Sequence, residues 1–143
     1  MATSAIRRLT IPTNRTMKGP KLTNDGKRLI VDYDFEEDDG STRWGRVVFD
    51  EVLSFEYRDS ACCRAEDVLP PTEIRSRADS AYLGLVTDLW QESVGNQAWQ
   101  HGKGGRDRFQ HFTVYFDDAC CLNIVASGCE VVSAPLEASS ADA

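Results

Sequence analysis

The stretch FQHFTVYFDDACCLNIVASGCEVV, from Phe109 to Val132, reads as a β-hairpin. Phe112, Val114 and Phe116 alternate with His111, Thr113 and Tyr115, the two-residue period of a strand with one buried face. After the break at Asp117-Asp118-Ala119, Leu122, Ile124 and Ala126 alternate again. Setting Phe116 opposite Cys120 brings Val114 opposite Leu122 and Phe112 opposite Ile124, so the apolar partners share one side. A slip of one residue sets Asn123 against Val114, and the pattern therefore selects the register. The other face carries His111, Thr113, Tyr115, Cys121, Asn123 and Val125, too apolar for open solvent and too polar for a core.

Upstream, Leu29, Val31, Tyr33 and Phe35 alternate with Ile30, Asp32, Asp34 and Glu36, a second half-buried strand. The Asp39-Gly40 pair that follows is a hairpin signal. The carboxylates of Glu36 to Asp39 read as a solvated turn, because a calcium loop of the EF-hand type needs spaced acids between helices and these flanks are strands. The run from Arg43 to Arg58 is too long for one flat strand, and a bend or bulge is expected near Asp50. Val47 and Phe49 precede it; Leu53, Phe55 and Tyr57 follow it. Trp44, Arg46 and Val48 fall on the opposite face, a composition common at interfaces.

Residues 5–12 offer a short strand with Leu9 and Ile11 on one face, and residues 13–26 read as a connection. Residues 59–78, with Pro70-Pro71, read as a long polar loop. Tyr82, Val86, Leu89 and Trp90 fall at the spacing of one helical stripe over 80–92, with Asp79 or Ser76 as cap. Gly84 on that helix suggests close approach to the sheet. Residues 99–106 read as a basic flexible loop; the Gly102-Lys103 pair lacks the strand, glycine spacing and hydroxyl of a phosphate loop. Residues 133–143 read as a frayed tail.

The chain of 143 residues, 41% hydrophobic and 27% charged, fits a single domain with a sizeable core. No apolar run approaches the roughly 18 residues of a membrane span, and Arg7, Arg8, Arg15 and Lys18 interrupt any export-type apolar segment. The net charge of -7 divides unevenly: residues 1–28 carry +6 and the remainder -13, an acidic body with a basic N-terminal arm. An acidic body repels phosphate backbones, so nucleic acid is an unlikely partner and a basic protein a fitting one. Five cysteines, an odd number without an export signal, point to a reduced, cytoplasmic setting. They lack the ligand spacing of a zinc site, and no metal or cofactor is expected.

These features give an α+β domain, a mostly antiparallel curved sheet of five or six strands with one main helix packed on one face. The predicted core joins Phe112, Val114, Phe116, Leu122 and Ile124 to Val31, Tyr33, Val86 and Leu89. The order of VVFDEVLSFEYRD, a helix, then HFTVYFDDACCLNIVASGCEV resembles small acidic bacterial proteins of the toxin-immunity or mobile gene-cassette type. That resemblance is one of layout and implies no functional residue.

Three functions are compatible with the chain. The first is a non-enzymatic binding protein, a homo-oligomer or a partner of a basic protein, built on Trp44, Arg46, His111, Thr113, Tyr115 and Asn123. The second is a small-molecule binder with a pocket between sheet and helix lined by Trp44, His111 and Tyr115. The third is a hydrolase using Cys121 and His111. The expected register separates those two by four residues along the strands, more than about 10 Å, beyond the reach that thiol activation needs.

Overall fold

The structure, a computed structural model, describes residues 4–17, 19–94, 105–117 and 119–132. Its strands are β1 (Ser4–Arg8), β2 (Lys21–Asp25), β3 (Arg28–Glu36), β4 (Thr42–Asp50), β5 (Ser54–Asp59), β6 (Glu73–Arg77), β7 (Gln110–Phe116), β8 (Cys120–Ala126) and β9 (Gly128–Val132), with helix α1 (Ala81–Val94) between β6 and β7. They form two antiparallel sheets, one ordered β1-β6-β7-β8-β5 and the other β2-β3-β4-β9. The class is α+β with one main helix, as the patterning implies; the strands divide over two sheets that do not close into a barrel.

The hairpin has the register its side chains select. Phe116 pairs with Cys120, Val114 with Leu122 and Phe112 with Ile124. All six are buried and face the inner side chains of the second sheet, Leu29, Val31, Tyr33, Val47 and Phe49. Tyr33 meets Phe116 edge-on at 5.2 Å between ring centroids, and its hydroxyl donates to the Ile11 carbonyl at 2.6 Å. Gly45, opposite Tyr33 on β4, makes room for that ring: a Cβ there would lie 2.5 Å from the Tyr33 ring.

The bend expected near Asp50 is where the chain changes sheets. β4 belongs to one sheet and β5 to the other, and Glu51 between them takes the left-handed conformation, φ 52°. The hairpin partner turns the same corner, since β8 and β9 lie in different sheets and Ser127 N–H donates to the Asp50 carbonyl at 3.0 Å. Left-handed backbone is disfavoured for a residue with a Cβ. Arg108 holds it in place through two bonds to the Glu51 carboxylate, at 3.1 and 2.6 Å, while its own guanidinium lies over Phe109.

The placement of the helix corrects the predicted core. The second sheet occupies the Phe112 face, so α1 lies on the other face of the larger sheet, where Leu83 and Val86 pack with Phe109 and Val125. Leu89 is 55% exposed and belongs to neither core. Gly84 marks no close approach, because a Cβ added there meets nothing within 4 Å. Ser80, rather than Asp79 or Ser76, caps the helix, its Oγ accepting the Leu83 N–H at 3.1 Å.

Two segments read as connections contain strands. Glu73–Arg77 pairs with both β1 and β7, and Lys21–Asp25 forms a hairpin with β3 through Gly26. The described part of the basic arm is integrated with the body: Leu9 and Ile11 enter the core, and Thr13 is fixed by bonds to the Pro71 and Tyr115 carbonyls. The tail at 133–143 and most of the basic loop, 99–104, lie outside the described residues.

Candidate functional site

The six sequence-predicted residues fall into two groups on different sheets. Trp44 and Arg46 lie on β4, facing away from the core, where Arg46 grips Asp32 across the strands with bonds of 2.6 and 3.0 Å. His111, Thr113, Tyr115 and Asn123 lie on β7 and β8 of the larger sheet. They do not form one continuous surface with Trp44, and the face that carries His111 is covered by the chain's own α1 and by the 3-10 turn Ala65–Asp67.

His111, Thr113 and Asn123 come together as the centre of a buried polar chain. Asn123 Oδ1 accepts from His111 Nε2 at 2.6 Å and from Thr113 Oγ1 at 2.8 Å, while its Nδ2 donates to Asp67 at 3.3 Å. Asn123 thus fixes the tautomer: Nε2 carries the proton, and Nδ1 accepts from the Ser80 hydroxyl at 2.7 Å. Tyr82 closes the cluster, its ring edge-on to His111 at 5.1 Å and its hydroxyl 2.8 Å from Ser54 Oγ. Tyr115 lies four residues along β7 from His111, and its carbonyl receives Thr13.

Electrostatics hold this cluster in one protonation state. Burial lowers the His111 pKa; the Asn123 bond opposes this and the Arg77 guanidinium adds to it, leaving the ring neutral. Burial pushes the Asp67 carboxyl up, but the Arg64 amide, the Arg64 guanidinium and Asn123 outweigh it and hold the carboxyl below its ordinary value. Asp67 is fully buried and accepts from Arg64 N at 3.0 Å and Arg64 Nε at 3.2 Å.

The Ser80–His111 contact has the geometry of a hydroxyl and a base, yet its surroundings oppose that use. Activating Ser80 requires Nδ1 to take the proton, which creates an imidazolium in a buried site 3.4 Å from the Arg77 guanidinium. The Ser80 oxygen is also engaged in capping α1. Cys121 offers no better nucleophile. It pairs with Tyr115 while His111 pairs with Val125, and burial followed by its Cys63 neighbour raises the thiol pKa. Burial likewise pushes Cys120 and Cys129 up to about 12, and all five cysteines are free. The cluster pins a helix and a turn to a sheet.

What the sequence reading missed lies at the open side of the sandwich, between the edge strands β2 and β5. Phe55 is 43% exposed and Tyr57 57% exposed, although both alternate with polar residues as core residues do. Each points to the core side of the larger sheet, but β5 is its last strand and the smaller sheet does not reach over it. Two clefts flank the pair: one of about 300 Å³ between Phe55, Leu29, Val52 and the Gly26 turn, and one of about 360 Å³ between Tyr57, Met17 and Ala119. A further cleft of about 400 Å³ lies between the start of α1 and Arg106. None of the three is lined by Trp44 or His111. No protein-family model, curated protein or solved structure matches the chain.

Proposed function

We propose that this chain is a non-enzymatic binding protein that docks through the open β2/β5 side of the sandwich. The observation that carries the reading is the pair Phe55 and Tyr57, exposed on a strand whose outer edge has no neighbour among the described residues. Large apolar side chains grouped at a surface, next to free main-chain donors and acceptors, mark a place where another chain adds. The polar cluster on the other face supports the same reading, since the side-chain groups of His111, Thr113 and Asn123 are bonded within the chain. The net charge of -7 favours a partner that is not a polyanion.

A photoreactive phenylalanine analogue at position 57 tests this directly. The expected outcome is a discrete protein adduct at 57 that is lost when Phe55→Ser is added, with none from the same probe at position 85 on the outer face of α1. Equal labelling at both positions, or none at either, refutes the reading. A second reading, a small apolar ligand held beside Phe55, draws on the roughly 300 Å³ cleft there, at the small end of ligand sites.

A further inference from the structure

We infer that the partner at this edge is a second copy of the chain, paired antiparallel through β5 about a two-fold axis at Tyr57. The inference rests on the docking reading above and adds the identity and register of the occupant.

The direction of the main-chain groups comes first. Asp59 pairs with Cys120, so Ser60 stands opposite Ala119, and Ser60 N–H donates to the Ala119 carbonyl at 3.0 Å. In an antiparallel ladder such bonded pairs recur every second residue. Arg58, Glu56 and Ser54 therefore turn their N–H and C=O groups toward β8, and Phe55, Tyr57 and Asp59 turn theirs outward. Tyr57 at the two-fold then exchanges both of its main-chain bonds with Tyr57 of the other copy.

The side chains agree with that centre. With Tyr57 on the axis, Glu56 of each copy falls opposite Arg58 of the other, on the face that carries Asn123. These two residues already attract within one chain, with bonds of 3.0 and 3.2 Å, and the same charges serve equally well across the axis. Moving the centre by one residue to Glu56 would set two carboxylates against each other. On the opposite face Tyr57 meets Tyr57 across the axis, and Phe55 of each copy lies diagonal to that pair and directly opposite Asp59 of the other copy. The second copy thus covers the two side chains that the smaller sheet leaves exposed.

Two of the three other edges, β1 and β2, are less suited to this pairing. β1 carries Arg7 and Arg8 side by side, and β2 has lysine and aspartate at its two ends with no aromatic residue between. The adjacent like charges of β1 discourage self-pairing, and on β2 a second copy would cover no aromatic side chain.

Size exclusion with light scattering on the full chain reads the assembly state. The expected mass is near twice 15.9 kDa, falling toward one copy on dilution. Tyr57→Pro removes an outward N–H without touching the β8 ladder and should give a monomer with an unchanged β-sheet circular dichroism spectrum. Glu56→Arg and Arg58→Glu should each weaken dimerisation about tenfold or more, and the double exchange should restore it, because the opposite charges face each other again. A wild-type monomer at all concentrations, or a dimer indifferent to Tyr57→Pro and to both charge exchanges, overturns the inference. The photoreactive probe separates the two levels. Adducts only with a different protein leave the docking reading standing and sink the second copy, whereas adducts between copies sustain both.

Discussion

Phe112 shows how much a single side chain in the hairpin contributes. It is 3% exposed and packs against Phe49 with 5.5 Å between ring centroids, so truncation leaves a cavity that two facing sheets cannot readily close. Phe112→Ala is expected to lower unfolding free energy by about 3–5 kcal/mol, read from urea denaturation. His111 contributes differently, through its protonation state. Its folded pKa lies below the ordinary 6.5, so the unfolded chain binds a proton more readily than the folded one. The resulting stability is complete above about pH 6.5 and is lost as pH falls through the folded value. Asp67, also lowered, contributes in the same direction in a more acidic window, beginning near its ordinary 3.8. Urea midpoints should therefore fall in two steps on acidification, and His111→Gln should remove the first step at the cost of a lower plateau.

At the scale of the element, the helix was found in the sequence but its contacts were not. The stripe Tyr82, Val86, Leu89, Trp90 identifies a helix and one apolar side, but not which face of the sheet it meets. The structure divides the stripe, burying Val86 and leaving Leu89 at the surface. Leu89→Gln is expected to change stability by less than about 0.5 kcal/mol in urea denaturation, while Val86→Asp, which buries an unpaired charge, should cost several times that amount in the same measurement. The β7–β8 register was legible because alternation on both strands admits one alignment. β6 was hidden because Glu73, Arg75 and Arg77 surround one apolar residue, Ile74, and the strand is held by its neighbours rather than by its own pattern. Phe55 and Tyr57 resembled core residues because alternation reports which face a side chain takes, and the order of strands decides whether anything covers that face. The members of the candidate site show the same limit. His111, Thr113 and Asn123 were placed together by the hairpin register, whereas Asp67, Ser80 and Tyr82 reach them from segments far apart in sequence.

The whole molecule is two sheets joined by strands that pass from one to the other at a common corner. β4 continues into β5 and β8 into β9, and each passes its partner at the turn around Glu51 and Ser127. Cutting between the sheets at this corner therefore breaks the chain twice, after β4 and after β8, although every ladder lies within one sheet or the other. Hydrogen exchange should find the slowest amides of β3, β4, β7 and β8 opening together with one free energy, equal to that of global unfolding. Separate protection classes for the two sheets would show that the corner is a hinge and not a weld. If it is a weld, a pull applied along either sheet is felt by the other through continuous covalent backbone. The Arg108–Glu51 clasp then sits at the crossing like a rivet, and a defect there would slacken both sheets without touching either core.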